Sequence, residues 1–294
     1  MSPHFLVLGA TGRIGSLVIQ ELAGQGLSVG GLVRDAGRAA SMWPPNVTAV
    51  TGEFGDPASI SAAMKGVQVV FVASPVHPEM ASWQCDAVRA AAQAGVRRIV
   101  KLSGSAWTME AGRVTTVGAA HALVEAMLHS LHDTYGFEYT CIRPNAFLQG
   151  MLGRLDGELN SGNTFSLAIG DAAVAFADIR DIAAAGAHAM AAASVPPLIE
   201  VTGSEAISGA RIAFLLGQML ARPIGYRPLD IDAAMDRARA SGMPEFTLRH
   251  QREVLSLLRE GAGSQSSDDF QNLLGRPSRS VDSFLAEVSA KVRK

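Results

Sequence analysis

Gly9, Gly12 and Gly15 are the residues whose spacing most directly implies chemistry, in the stretch Phe5-Leu-Val-Leu-Gly9-Ala-Thr11-Gly12-Arg13-Ile14-Gly15. Four apolar residues precede them, and Ile14, Leu17, Val18 and Leu22 follow at helical spacing, so the glycines mark a turn from strand to helix. Gly9 permits the tight turn, Gly12 lets backbone N–H groups approach a diphosphate, and Gly15 lets helix and strand pack closely. The ligand implied is a dinucleotide. The GxxGxxG spacing is one residue longer in its first gap than the commonest fingerprint, but it lies between strand and helix, the context a match requires. A turn without a ligand would need one glycine and leave two unexplained.

A dinucleotide site declares its preference at the end of the second strand, where an acid bonds the ribose 2′-hydroxyl or an arginine accepts a 2′-phosphate. The chain reads Leu32-Val33-Arg34-Asp35 there. Arg34 comes first, while Asp35 is placed to cap the helix that follows. Arg13 adds a second cation, and a guanidinium matches a phosphate well. NADP(H) is therefore favoured over NAD(H), the alternative being that Arg34 and Arg38 are solvated surface residues.

Other reactive types are fewer. His121 has Glu125 one turn on, a carboxylate able to orient or charge the imidazole. His129 and His132 could ligate a metal, but no third ligand stands at a recognisable spacing, so no metal is expected and both are read as exposed helix residues. Ser103 and Ser105 follow the fifth strand and should face the nicotinamide end; no GxSxG surrounds them, which argues against a hydrolase. Ala73, Ser74 and Pro75 are expected along the diphosphate and ribose. Pro144 and Phe147 are candidates for packing on the nicotinamide ring or for anchoring a second lobe. Asp178 and Asp181 stand at a helix start and are assigned to structure.

The elements that must position these groups alternate. Strands are expected at residues 5–8, 27–33, 47–51, 67–73, 98–102 and 137–142. Helices lie between them, one starting at Asp56-Pro57 with Asp56 as N-cap, a long alanine-rich one ending at Gly95, and one over 119–131. Parallel strands need crossovers, so the fold class is α/β, a doubly wound parallel sheet with its ligand at the carboxyl ends of the strands. Beyond about residue 150 the regularity weakens. Short strands are expected at 165–169, 175–178, 198–201 and 224–229. Helices are expected at 179–192, 208–220, 231–241 and 246–260, then a polar linker at 261–267 and a last helix at 280–292 with Phe284, Leu285 and Val288 inward. The domains expected are a dinucleotide-binding domain over 1–150 and a smaller C-terminal α+β substrate lobe over 151–294, parts of which pack back on the first.

With 294 residues, 48% hydrophobic and 18% charged, the composition is that of a soluble globular protein. A formal net charge of -2 gives no case for nucleic acid or an anionic membrane as partner. Cys85 and Cys141 form no CxxC and are read as small core residues in a reducing compartment. No apolar run is as long as a membrane span and no cleavable leader is recognised, so a cytoplasmic monomer or homodimer acting on a small molecule is expected.

The motifs together resemble the NmrA-like members of the atypical short-chain dehydrogenase/reductases. They are GATGRIG at 9–15, Val33-Arg34, Lys101-Leu-Ser103-Gly-Ser105, His121-x-x-x-Glu125, Tyr139-Thr-x-x-Arg143-Pro144-Asn145-x-Phe147 and Asp178-Ile-Arg-Asp181-Ile-Ala183, with Val201-Thr202-Gly203 and Gly275-Arg276-Pro277 later. The resemblance implies an NADP-binding Rossmann domain with a small substrate lobe. Activities in that family include NADPH-dependent reduction of quinones and of triphenylmethane dyes, and it also holds redox sensors that bind the dinucleotide without turnover. It further implies roles for Gly9, Thr11, Gly12, Arg13, Ile14 and Gly15 on the diphosphate, Arg34 on the 2′-phosphate, and His121 and Ser103 beside the nicotinamide. One departure matters. The Tyr-x-x-x-Lys of short-chain dehydrogenases falls on Val117 and His121, so carbonyl reduction by that route is disfavoured and an electron-poor acceptor such as a quinone is expected, its proton coming from solvent or a histidine.

Overall fold

A computed structural model of the chain describes residues 3–37 and 43–292. Strands β1 (Phe5–Val7), β2 (Val29–Val33), β3 (Val47–Thr51), β4 (Val69–Val72), β5 (Arg98–Leu102) and β6 (Glu138–Pro144) form the sheet expected. Its order is β3-β2-β1-β4-β5-β6, and a further strand, Leu198–Val201, lies beyond β6. Neighbours from β3 to β6 pair in parallel. Amide N–H groups of Cys141 and Asn145 reach the carbonyls of Pro197 and Val201 in step, so the added strand runs the same way. Strand order reverses between β1 and β4, and a ligand of a doubly wound sheet belongs at the carboxyl ends of those two strands.

Two compact units are present. The first comprises residues 1–104, 117–143 and 180–199 and holds the sheet. Its strands read as apolar runs because both faces are covered. One face presents Leu6, Leu8, Val70, Val72, Ile99 and Cys141 to a cluster that includes Cys85, Val88, Val124 and Leu128, from helices α3 (Met80–Gln93) and α4 (Thr116–Tyr135). On the other face the helix Ile179–Ala191 meets Phe71 and Val18 of α1 (Arg13–Gly24), with Gly186 packed so closely that a Cβ there would stand 2.9 Å from the Phe71 ring. Helix α2 (Pro57–Ala63) starts as its sequence dictates, with the Asp56 carboxylate accepting from the N–H groups of Ala58 and Ser59.

The second unit comprises residues 105–116, 144–179 and 200–294. Helices Gly209–Leu220, Glu245–Arg259 and Val281–Val292 enclose a core containing Phe165, Phe176, Leu216, Leu258, Phe284, Leu285 and Val288. Thr164–Leu167 pairs in parallel with Gly225–Pro228, and Ala173–Val174 is antiparallel to Ile207–Ser208. Where a strand is expected at 175–178, only an isolated bridge from Ala177 to Phe147 forms. The stretch 261–267 is not a loose linker. It holds the short helix Ala262–Ser264, and the Gly263 carbonyl accepts from Asn145 Nδ2 and the Ala175 N–H. Among the described residues no helix is long and apolar enough to cross a membrane.

Arg98 is fully buried at the start of β5. Its guanidinium pairs with Glu138 and donates to the carbonyls of Ala189, Ala192 and Ala193, closing the C-terminal end of the helix Ile179–Ala191 where a cation is favoured. Replacing it leaves a cavity and breaks these bonds together. Arg98→Met is expected to lower unfolding stability by about 3 kcal/mol, seen as a lower denaturant midpoint at constant slope, whereas Arg97→Met on the exposed Glu138 pair should change it by less than about 0.5 kcal/mol.

Candidate active site

The turn after β1 is built as its glycines imply. Gly9 has φ +72, and a Cβ on it would lie 2.5 Å from the carbonyl oxygen of Ala73, the residue following β4. A Cβ on Gly15 would collide with the Gly9 carbonyl. The Gly12 N–H donates to the Gly9 carbonyl at 2.9 Å, and Gly12 caps α1 with extended backbone and no side chain. The start of this 12-residue helix is thus uncapped by any side chain, with Thr11, Gly12 and Arg13 exposed beside it. Uncapped N–H groups at the positive end of a helix dipole fit a diphosphate. The structure brings Ala73 directly against Gly9, with Ser74 and Pro75 next in the chain. Ser74 accepts a hydrogen bond from the buried Gln84 side chain at 2.8 Å.

Arg34 is exposed immediately after β2, as expected, and Asp35 and helical residues 36 and 37 follow it. Arg38 and the rest of the helix expected there lie outside the described residues.

The second cluster forms where β5, β6 and α4 meet. On α4 the spacing of Val117, Val124 and Leu128 defines a buried stripe, and His121 lies on it, half-buried. Val117, at 3% exposure, is a buried apolar side chain one turn before His121. Strand alternation puts Lys101 on the same face of β5 as Ile99, toward α4. Lys101 is fully buried, and its Nζ lies 2.8 Å from His121 Nδ1 while donating to the Leu102 carbonyl at 3.1 Å and to Ser103 Oγ at 3.4 Å. Ser103 in turn donates to Glu125 Oε1 at 2.5 Å. Arg143, from β6, grips both Glu125 oxygens, Nε to Oε1 at 3.1 Å and Nη2 to Oε2 at 2.5 Å. The chain of contacts runs from His121 through Lys101, Ser103 and Glu125 to Arg143.

Charge states follow from these partners. Burial removes water from the Lys101 ammonium and lowers its pKa to about 8, against the opposing effect of the Glu125 carboxylate. For Glu125, burial alone would raise the pKa, but hydrogen bonds from Arg143 and Ser103 outweigh it and hold the carboxyl below its usual value. The Cys141 thiol is pushed up to about 12 by burial, so it stays neutral. Both cysteines are buried free thiols, as read from the sequence.

Pro144 and Phe147 belong to the second unit. Pro144 is buried at the end of β6 and its carbonyl accepts from Ser105 Oγ at 2.7 Å. Phe147 caps the short helix Leu148–Leu152 and bridges to Ala177. His132 corrects the reading of an exposed residue: its Nδ1 lies 2.6 Å from the Phe137 carbonyl and its ring meets Tyr139 edge-on. No group of three or more metal-ligating side chains exists among the described residues. Lys101 is the member that the sequence reading left without a role, although a lysine inside an apolar parallel strand is itself the anomaly that could have flagged it.

Comparison with known proteins identifies the family and the fold. Residues 9–185 match the family described as NAD(P)H-binding. The chain belongs to that family and falls among its NAD(P)H-dependent oxidoreductases. It is 29% identical to an NAD(P)H azoreductase of Xenophilus azovorans, over 95% of this chain and 96% of that one. It is 31% identical to a (4-alkanoyl-5-oxo-2,5-dihydrofuran-3-yl)methyl phosphate reductase of Streptomyces griseus subsp. griseus, over 96% of each. The fold matches an NADPH-dependent quinone oxidoreductase of Escherichia coli solved with NADPH, with a TM-score of 0.82 at 22% identity, covering 99% of this chain and 100% of that one.

Glu125 ties three elements through its charge, and the sign of its pH dependence is fixed. Its folded pKa is depressed, so its contribution is present above the unfolded carboxylate pKa and is lost as pH falls through the folded one. Glu125→Gln should cost roughly 3 kcal/mol at pH 7, since it removes the carboxylate charge that Arg143 grips through two bonds. That difference from wild type should shrink on acidification, which denaturant titrations between about pH 7 and pH 3 would measure.

Proposed function

We propose that this chain is an NADPH-dependent reductase of quinone-like or other electron-poor organic acceptors. The observation that carries the reading is the start of α1, bare of any capping side chain and open at the switch point of the sheet. Gly9, Thr11, Gly12, Arg13, Ile14 and Gly15 hold the diphosphate there, Ala73, Ser74 and Pro75 border the ribose, and Arg34 takes the 2′-phosphate. A bound nicotinamide supplies a hydride to the acceptor. His121 and Ser103 stand on the nicotinamide side, where His121 hands over the proton that completes the reduction.

The acceptor class is supported by Val117. With no phenol one turn before His121, the site has no strong donor to polarise an unactivated carbonyl. A quinone or azo bond takes a hydride without that help, and the relatives named as azoreductase and quinone oxidoreductase act on such groups.

The test is cofactor oxidation against a panel of quinones and azo compounds, NADPH and NADH run in parallel. Arg34→Ala should raise the KM for NADPH about tenfold and that for NADH less than about twofold. His121→Ala should lower kcat on the order of a hundredfold. Tight cofactor binding without turnover across the panel would count for a dinucleotide sensor instead.

A further inference from the structure

The site lacks a tyrosine, yet a quinone that has received a hydride carries one negative charge and still needs a proton. His121 can give one only from the nitrogen that holds it, and Lys101 decides which that is. An ammonium has donors and no acceptor, so Lys101 Nζ, 2.8 Å from Nδ1, makes Nδ1 the acceptor and leaves the ring proton on Nε2. We infer that Lys101 is the proton relay behind His121, fixing its tautomer and passing a proton to Nδ1 as Nε2–H protonates the reduced acceptor. The inference rests on the reductase reading above.

The step balances. The Nε2–H bond of His121 breaks as an O–H bond forms on the acceptor. At the other ring nitrogen an Nζ–H bond of Lys101 breaks and Nδ1–H forms, leaving a neutral amine beside a neutral imidazole. Water then returns a proton to Nε2, and Nδ1 hands its own back to Nζ. The acceptor gains one hydride and one proton, and both side chains end as they began.

The surroundings suit a group that lends a proton and recovers it. Facing Lys101 are His121 and Glu125 from α4, Cys85 from α3, and Cys141 and Arg143 from β6, with Ser103 and the Leu102 carbonyl at its own strand end. Glu125 is engaged by Arg143 and Ser103, so its charge steadies the ammonium without taking a proton from it. Cys141, held neutral, offers no competing base. A lysine pKa near 8 is the one a donor at neutral pH needs, charged at rest and able to lose its proton for a moment.

The test compares two acceptors that differ in proton demand. A quinone needs hydride and proton; a cationic triphenylmethane dye is neutralised by hydride alone. Wild-type kcat for the quinone should fall about tenfold per pH unit above about pH 8, and kcat for the dye should show no such limb. Lys101→Met should lose on the order of a hundredfold with the quinone and less than about threefold with the dye. Without cofactor, nitrogen-15 spectra of the wild type should show His121 protonated at Nε2 and bare at Nδ1, with Lys101 titrating near pH 8. An Nδ1–H tautomer at neutral pH, or equal losses on both acceptors, overturns the relay. Neither wild-type measurement depends on the folding of Lys101→Met. A wild type that turns over no acceptor overturns the reductase reading and the relay with it. Turnover of both acceptors without the quinone pH limb overturns the relay alone.

Discussion

The space for one Cβ at Gly9 governs the first unit. Between the end of β1 and the residue after β4 there is no room for a methyl group, and the helix that follows presses Gly15 against the same Gly9 carbonyl. A left-handed backbone at Gly9 lets the chain turn from strand to helix within this clearance. One strand, its neighbour and the start of a helix are thereby fixed around a single residue, and the bare helix terminus is left at the switch point. The bare helix terminus is a by-product of close packing that only glycine permits, so the fold alone already demands these residues.

What the sequence disclosed follows from the range over which each signal acts. Strand-turn-helix periodicity is local, which is why Gly9 to Gly15, the Asp56 cap and the apolar stripe of the last helix were legible. The strand Leu198–Val201 was expected as a strand, but its place beside β6 depends on pairing across more than fifty residues, which no window of sequence reports. Composition misled at 261–267. Glycines and serines there suggested a linker, whereas Gly263 is small because a Cβ would come within 2.5 Å of Leu258 and because Asn145 reaches its carbonyl. His132 was misjudged for a related reason: a helix-end histidine reads as solvated until the chain reverses and brings the Phe137 carbonyl to it.

Two buried cations on one short strand show why charge was the least legible property. Arg98 and Lys101 both interrupt the apolar run of β5 and both are removed from water, yet their settings are opposite. Arg98 faces a carboxylate and three carbonyls, partners that stabilise a permanent charge. Lys101 faces an imidazole, a hydroxyl and one carbonyl, with its nearest carboxylate already engaged elsewhere. An interior of that kind tolerates a charge that can be given up, which suits lysine and excludes arginine. Identity alone could not separate the two roles.

The bonds of Arg98 also bear on how the chain is made. They join residue 98 to carbonyls at 189, 192 and 193, and the first unit takes in residues up to 199. A ribosome delivers roughly 5–20 residues each second, so β6 waits several seconds, and the first strands longer, for the helix and strand that complete their sheet. During that interval β6 is an open edge of unpaired N–H and C=O groups, the kind of surface to which another nascent chain can add. The charged and polar residues at its start, Glu138, Tyr139 and Thr140, interrupt the apolar pattern on the strand that waits for its neighbour.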